Sequence, residues 1–268
     1  MSPEPESSAP PDEAGRQAPE PAPEPEEAKP VKRRSPGPER HAVGIAPGSW
    51  SVLTVLLGVL VAIVGIVIGI AIVAALDPDL ESQAATIAAQ VAVAAALIGA
   101  ALIFALADPM PGVRALTKLG LRHVGWVGLA LGLAGWIAYV LAASQIAPFL
   151  QPEQEDVTRD LGVDESTLGL IVAAFVIVVL APLSEEIFFR GFAFAGLRRR
   201  LSLWPAAAIS SIGWAMLHLG PGNPGVVVQL ALFGLVLAWL YEQTGSLWPP
   251  ILAHGLNNAI AFTVLQAT

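Results

Sequence analysis

Three charged side chains fall within six residues of the apolar stretch APLSEEIFFRGF, at Glu185, Glu186 and Arg190. A charged side chain in hydrocarbon costs about 3 kcal/mol or more, so such residues are rare and usually functional. Residues four apart share a helix face, which predicts that Glu186 pairs with Arg190. Glu185 then points about 100° away and has no partner in its own helix, so it suits general-base work on water. The alternative is a buried Glu186–Arg190 pair that holds two helices together, with Glu185 at the cytoplasmic interface.

Histidine and asparagine side chains lie in two later apolar runs. His218 ends the first run, and His254 and Asn258 stand four apart in the second, so they share a face. Asn257 lies almost as close to that face, and the spacing leaves both asparagines open. Such groups donate hydrogen bonds to a developing oxyanion, and Gly255 allows backbone or substrate to approach closely. The alternatives are a helix C-terminal contact for His218 and interhelical hydrogen bonds for the other pair.

Other hydrolytic and nucleotide-dependent chemistries lack their motifs in this chain. Cysteine is absent, which excludes thiolate nucleophiles and cysteine metal sites. The sequence has no HExxH, Gly-x-Ser-x-Gly or Gly-x-Gly-Asp element, and no Walker or dinucleotide-binding motif. Glutamate, histidine and asparagine at membrane depth therefore predict an enzyme that hydrolyses peptide bonds within or beside the bilayer.

The composition is that of an all-α polytopic membrane protein. Of 268 residues, 54% are hydrophobic and only 13% are charged, against about 25% charged in soluble domains. The apolar residues come in runs of roughly 20, the length that crosses about 30 Å of hydrocarbon. The net charge of −8 lies in a tail and in short loops, and no long basic patch predicts nucleic acid as a partner.

The apolar runs predict about seven to eight transmembrane helices. An extra membrane-associated helical stretch is expected at 184–200. Pro182 is expected to disturb the helix that carries it and to free backbone groups. Small residues favour close packing of helices in lipid, and Gly58–Ala62 and Gly128–Gly132 are candidate packing positions. The predicted crossings are 51–76, 85–107, 124–148, 166–183, 203–219, 225–243 and 249–267.

Domain organisation and orientation follow from composition and loop charge. Residues 1–48 are rich in proline and glutamate and predict a disordered cytoplasmic tail, whereas residues 49–268 form the transmembrane domain. The loop at 114–122 and the segment 198–200 are basic, whereas the loops at 77–84 and 149–165 are acidic. The positive-inside rule therefore predicts a cytoplasmic N-terminus, in a membrane that is expected to be a bacterial plasma membrane.

Three motifs in order resemble the CPBP family. They are Glu185-Glu186-x-x-x-Arg190, Trp214-x-x-x-His218 and His254-x-x-x-Asn258. The family comprises the CAAX prenyl protease type II (Rce1-like) and Abi-type intramembrane proteases, together with some bacteriocin-immunity proteins. The resemblance covers roughly residues 120–268. The second motif usually begins with phenylalanine, so Trp214 is a departure that concerns the shape of the pocket.

The resemblance implies a role for each matching residue. Glu185 would activate water together with His218, and His254 and Asn258 would form the oxyanion site. The family has often been labelled metalloprotease, while an Rce1-like enzyme resembles a glutamate-dependent hydrolase without a structural need for metal.

The resemblance also implies supporting residues and leaves open whether the site holds a metal ion. Glu186 and Arg190 would support the site rather than act on substrate. Zinc is the alternative cofactor, because two histidines and a glutamate with water as fourth ligand suit it; the set would be Glu185, His218 and His254. Asparagine is a poor zinc ligand and a good oxyanion donor, which favours the metal-free mechanism.

The sequence therefore predicts an intramembrane endopeptidase acting on membrane-associated peptides or proteins, of CAAX type or without a prenyl group, in the lipid bilayer. The alternative is a catalytically silent membrane scaffold or bacteriocin-immunity-type protein of the same fold. A transporter is the third hypothesis, and it lacks support from internal repeat symmetry.

Overall fold

The structure is a computed structural model that describes residues 1, 48–78, 82–150, 163, 166–219 and 224–266. These residues form eight helices and no strand, which confirms the all-α fold class. The predicted tail lies outside the described residues except for Met1 and Gly48. The helices are α1 (Val52–Leu76), α2 (Gln83–Ala107), α3 (Ala115–Lys118), α4 (Trp126–Leu150), α5 (Thr167–Leu197), α6 (Leu203–Ala215), α7 (Pro224–Thr244) and α8 (Trp248–Leu265).

The chain is an integral membrane protein by the length and composition of its helices. Among the residues that the structure describes, five helices are long and apolar enough to cross a membrane: α1, α2, α4, α5 and α7. Helices also lie at the two other predicted crossings. With 13 residues, α6 extends only about 20 Å, less than the hydrocarbon thickness of about 30 Å. Helix α8 has 18 residues and carries His254 and Asn258 of the predicted site.

Helix α5 is one continuous helix of 31 residues. The helical stretch expected at 184–200 is therefore helical as far as Leu197, but the prediction that it is additional to the crossing at 166–183 is wrong. Two π-helical segments, Val176–Leu180 and Glu186–Phe194, widen it. At the end of the first segment, the Ala181 N–H donates to the Val176 carbonyl, five residues earlier. With the same spacing of five residues, the next donor would be Pro182 and its acceptor the Ile177 carbonyl, but proline has no N–H. The helix therefore continues through the proline by widening, and the Ile177 carbonyl has no backbone donor in this register.

The second π-helical segment is the centre of the bundle. All nine residues from Glu186 to Phe194 are buried, and α1, α2, α6 and α7 pack around them. Phe192 stacks on Phe104 of α2 and packs against Trp50, whose indole N–H donates to the Phe192 carbonyl at 2.9 Å. The outer faces of the helices, α1 above all, expose leucine, isoleucine and valine, as lipid contact requires.

Glycines permit the close helix contacts that the sequence predicted. A Cβ on Gly132 of α4 would lie 2.8 Å from the Pro249 carbonyl oxygen and 3.1 Å from its Cα, at the N-terminus of α8. A Cβ on Gly58 would overlap the ring of Phe192. Each glycine is thus a packing position between helices, and Gly132 faces backbone, which cannot move aside as a side chain can.

Replacing Gly132 with alanine is expected to destabilise the protein by about 1–3 kcal/mol, because the added methyl group overlaps the backbone of α8. The matched control is Gly99→Ala in α2, where the new Cβ meets no atom within 4 Å and no loss is expected. The free energy of unfolding in mixed detergent micelles measures both. Equal stability of the two variants would contradict the close contact of α4 with α8.

A polar cluster ties the start of α1 to the end of α2. The Asp108 carboxylate accepts hydrogen bonds from the Ser49 backbone N–H at 2.7 Å and from the Ser49 hydroxyl. Lys118 lies 3.2 Å from the same carboxylate and donates to the Asp108 carbonyl at 2.7 Å. Burial raises the pKa of Asp108, but the hydrogen bonds from Ser49, Met110 and Lys118 outweigh it, and the pKa lies below its ordinary value of 3.8.

Asp108→Asn is expected to cost stability at neutral pH, and the cost is expected to shrink as the pH falls below about 4. A carboxyl group whose pKa is lower in the folded protein binds protons less readily there than in the unfolded chain. Its stabilisation is therefore complete above the ordinary pKa and is lost as the pH falls through the folded value. Unfolding free energies of both proteins across this range measure it, and a difference that does not vary with pH would contradict the lowered pKa.

Candidate active site

Glu186 is the buried centre of an ion-pair network between α5 and α8. Its side chain and that of Arg190 are fully buried, and Arg190 Nη1 donates to Glu186 Oε1 at 2.9 Å, as the four-residue spacing predicts. His254 Nδ1 lies 2.9 Å from the same oxygen. A buried carboxylate needs such compensation, because an unpaired charge in a low-dielectric interior is strongly destabilising.

Arg190 also connects α5 to α6 and α7. Its Nη2 donates to the Gly234 carbonyl at 3.4 Å, and its guanidinium carbon lies 4.7 Å from the centroid of the Trp214 ring, within the range of a cation–π contact. A Cβ on Gly234 would lie 3.0 Å from Arg190 Nη2 and 2.6 Å from the Ser211 Cβ. Glycine at 234 therefore allows the three helices to meet around the arginine.

Glu185 lies beside this network but takes no part in the Glu186–Arg190 pair. Its side chain is 14% exposed, and its Oε2 accepts the indole N–H of Trp214 at 2.5 Å. His254 Nε2 lies 3.8 Å from the same oxygen, so the two nitrogens of His254 face the two glutamates. With Nδ1–H donated to Glu186, Nε2 carries a hydrogen only when the ring holds both protons.

A small cavity lies beside Glu185. It has a volume of about 10 Å³ and is lined by residues of α2 and α5, including Gln90, Leu180, Ser184 and Glu185. A cavity of that size holds about one water molecule. A partly exposed carboxylate beside such a cavity is the arrangement that general-base activation of water requires.

The described contacts of His218 are with Trp214, and none of them is with Glu185. It ends a 3₁₀ turn, Met216–His218, that follows α6, and its side chain is exposed. Its Nδ1 lies 3.4 Å from the Trp214 carbonyl oxygen, and its ring packs edge-on against the Trp214 ring at 5.4 Å. Trp214 therefore contacts three of the predicted site residues, Glu185, His218 and His254.

The two asparagines of α8 face different surroundings. Asn258 Nδ2 donates at 2.9 Å to the Ile177 carbonyl, the one for which Pro182 provides no backbone donor. Gly255 permits this approach of α8, because a Cβ there would lie 3.0 Å from the Val178 carbonyl oxygen. Asn257 instead lines a separate cavity of about 280 Å³ with residues of α4 and α7. Of the two asparagines, Asn258 is the one that contacts the helix carrying Glu185.

The residues of the zinc alternative are not arranged as a metal site. Within the described part of the chain, no three side chains of histidine, cysteine, aspartate or glutamate form a group that could hold a metal ion. The described contacts of His218 are with Trp214, and none of them brings it to Glu185 or His254. As the described residues are placed, Glu185, His218 and His254 do not form a set of donors that fits zinc.

Two features of the polar interior were missed by sequence reasoning. The first is the donor role of the Trp214 indole. The second is Glu242, a further charged residue inside a predicted crossing, which is buried and accepts Arg198 Nε at 3.0 Å and Nη2 at 2.6 Å. A glutamate within an apolar helix was the available signal, and it should have prompted a search for a basic partner elsewhere in the chain.

The fold and the polar centre define a class: an all-helical integral membrane protein with a glutamate–arginine–histidine network among its helices. Residues 167–260 match the family model of the type II CAAX prenyl endopeptidases, Rce1-like. The resemblance inferred from the three motifs is thereby confirmed, over a shorter range than the expected 120–268. No solved structure gives a significant match to the chain.

Relatives from three bacteria align with the chain at low identity. An Escherichia coli protein named "Uncharacterized 24.3 kDa protein" is 28% identical over 54% of this chain and 64% of its own length. A Bacillus subtilis protein named "Putative membrane peptidase YdiL" is 27% identical over 47% of each chain. The "UPF0177 protein YxdF" of Lactococcus lactis is 22% identical over 62% of this chain and 90% of its own. The chain thus spans less than two thirds of the length of the first two relatives. The match to the family model and the similarity to YdiL together support a membrane-protease kind of function.

Proposed function

We propose that this protein is an intramembrane endopeptidase that hydrolyses peptide bonds of membrane-associated substrates by glutamate-activated water. The observation that carries the proposal is the different environment of two adjacent glutamates. Glu186 is compensated by Arg190 and His254, whereas Glu185 stands partly exposed at a water-sized cavity. An arrangement that served structure alone has no need of the second carboxylate.

The proposed reaction begins with water beside Glu185. The carboxylate accepts a proton from water, with His218 assisting, and the water oxygen bonds to the carbonyl carbon of the substrate. The carbonyl oxygen becomes an oxyanion that His254 and Asn258 stabilise by donated hydrogen bonds. The carbon–nitrogen bond then breaks, and the proton held by Glu185 passes to the leaving amine, which regenerates the carboxylate.

Geometry supports these assignments at His254 and Asn258. Nδ1 of His254 lies 2.9 Å from Glu186 Oε1, and Nε2, on the side of Glu185, is the nitrogen that donates to the oxyanion in the proposed reaction. Asn258 uses one amide hydrogen on the Ile177 carbonyl, and the amide has a second one to donate. The two donors therefore lie on one face of α8, beside the wide part of α5.

The proposed substrates are membrane-associated peptides or proteins, of CAAX type or without a prenyl group, and the proposed location is a bacterial plasma membrane with the N-terminus in the cytoplasm. Arg198, Arg199 and Arg200 at the end of α5 support this orientation, because basic residues favour the cytoplasmic side. The site is proposed to open toward the same half of the membrane.

The experiment that tests the function is an inventory of protein N-termini in membranes from cells that make equal amounts of wild-type protein or Glu185→Ala. N-termini found only with the wild type are expected, and they identify the substrates. Correct insertion of both proteins is the control. If the two inventories agree although both proteins are inserted and the host's own membrane proteins are present, the scaffold or immunity-type alternative replaces the protease.

A further inference from the structure

The indole of Trp214 is the hydrogen-bond donor to Glu185. Trp214 is 1% exposed, and its Nε1 donates to Glu185 Oε2 at 2.5 Å. Within the residues that the structure describes, no other N–H or O–H group lies within hydrogen-bond distance of Glu185, and Oε1 accepts no bond. Phenylalanine, the usual residue at this position of the motif, has no group that could make this contact.

The Trp214 ring is itself held on several sides. The Arg190 guanidinium carbon lies 4.7 Å from its centroid, and the rings of His254 and Phe233 lie 5.1 Å and 6.3 Å away. These contacts come from α5, α8 and α7. Because close-packed neighbours restrict the rotation of a buried side chain, the direction of the indole N–H is determined by the packing of the bundle.

We propose that Trp214 is a positioning residue for the proposed peptidase reaction, and that its N–H orients the Glu185 carboxylate so that Oε1 is the oxygen that receives the proton from water. The proposal rests on the proposed function of Glu185 as general base. A hydrogen bond to Oε2 keeps that oxygen toward His254 and leaves Oε1 free. A carboxylate that is already oriented needs no rearrangement when the proton is transferred, which is the advantage of a preorganised site.

Two replacements remove the N–H and keep an aromatic ring. Trp214→Phe restores the residue usual in the motif, and replacement by 3-benzothienylalanine keeps the size and shape of the indole with sulfur in place of N–H. The matched control is Trp50→Phe, because Trp50 is also buried and its indole N–H donates at 2.9 Å to a backbone carbonyl, that of Phe192. Both kinds of variant lose one buried indole hydrogen bond.

The expected kinetic result is a loss in kcat without a change in KM. With a peptide substrate identified from the N-terminal inventory, both Trp214 replacements are expected to lower kcat about ten- to hundredfold, the effect of losing a hydrogen bond to a charged group. The Trp50→Phe protein is expected to keep the kcat of the wild type. A purely structural role of Trp214 would lower the amount of folded protein and leave kcat per folded molecule unchanged.

A spectroscopic measurement tests the contact without any substrate. In full-length protein labelled with ¹⁵N at the tryptophan indoles and held in detergent micelles, the Trp214 resonance is assigned by its absence from Trp214→Phe. It is expected to move upfield in Glu185→Gln, where an amide replaces the charged acceptor, while the Trp50 resonance stays in place. An unmoved Trp214 resonance would overturn the inference.

The outcomes separate this inference from the proposed function. A shifted resonance with lowered kcat supports the inference. A kcat equal to that of Trp50→Phe overturns it, even when the wild type cleaves substrate. A wild type that cleaves nothing contradicts the proposed function and with it the positioning role in catalysis, and the resonance still decides whether Trp214 binds Glu185.

Discussion

Glu185→Gln is expected to lower the rate of peptide cleavage by about 10²–10⁴-fold while the protein keeps its fold, because an amide cannot accept the proton that a general base must take from water. Its folding should change little, since Glu185 is partly exposed and stands outside the Glu186–Arg190 pair. Initial rates on a substrate from the N-terminal inventory measure the first effect, and unfolding in mixed micelles measures the second.

The comparison for this prediction is Glu242→Gln, which makes the same chemical change at a glutamate that is buried elsewhere in the bundle. Glu242 pairs with Arg198 and has no described contact with Glu185 or His254. Its replacement is expected to lower stability and to leave the rate per folded molecule close to that of the wild type. Normal cleavage by Glu185→Gln, or an equal loss of rate in both variants, would contradict the assignment of the general base.

Arg190→Ala is expected to destabilise the protein by about 3–5 kcal/mol, the cost of leaving a buried carboxylate without its partner. Arg190 and Glu186 are fully buried, and the arginine also contacts the Gly234 carbonyl and the face of Trp214. Its loss therefore removes contacts of α5 with α6 and α7 as well as the ion pair. The free energy of unfolding in mixed micelles measures the change.

Two further variants make the Arg190 result specific. Arg199→Ala is the control, because Arg199 is exposed and donates one hydrogen bond within the described residues, to the Gly48 carbonyl. Little change in stability is therefore expected. The double replacement Glu186→Gln with Arg190→Met removes both charges and is expected to be more stable than Arg190→Ala alone. If Arg190→Ala and Arg199→Ala had the same free energy of unfolding, the buried charge of Glu186 would not depend on Arg190 for its stabilisation.

Much of this site could be predicted from local spacing. The pairing of Glu186 with Arg190 follows from the helical repeat, and the common face of His254 and Asn258 follows from the same four-residue period. The need for glycine where helices approach closely was also visible, and Gly132 and Gly255 both lie against backbone of another helix. These predictions concern one helix at a time, where geometry depends on sequence separation alone.

The course of α5 through Pro182 could not be predicted in the same way. A proline predicts that a helix ends or bends, and the predicted crossing ended at residue 183. The helix instead widens into a π turn, and the Ile177 carbonyl finds a donor in Asn258, which lies 81 residues later in the chain. No local rule indicates which residue of a distant helix will satisfy a freed backbone group.

The sequence by itself determined the class of protein, since apolar runs of membrane length and rare charges within them are properties of composition and order. It also determined which residue types could carry out hydrolysis, and the three motifs indicated the family that residues 167–260 match. Only the tertiary structure decided which histidine lies near Glu185, which asparagine contacts α5, and that Trp214 donates to the carboxylate. These contacts join residues of different helices, and their partners depend on how the helices pack rather than on spacing within any one of them.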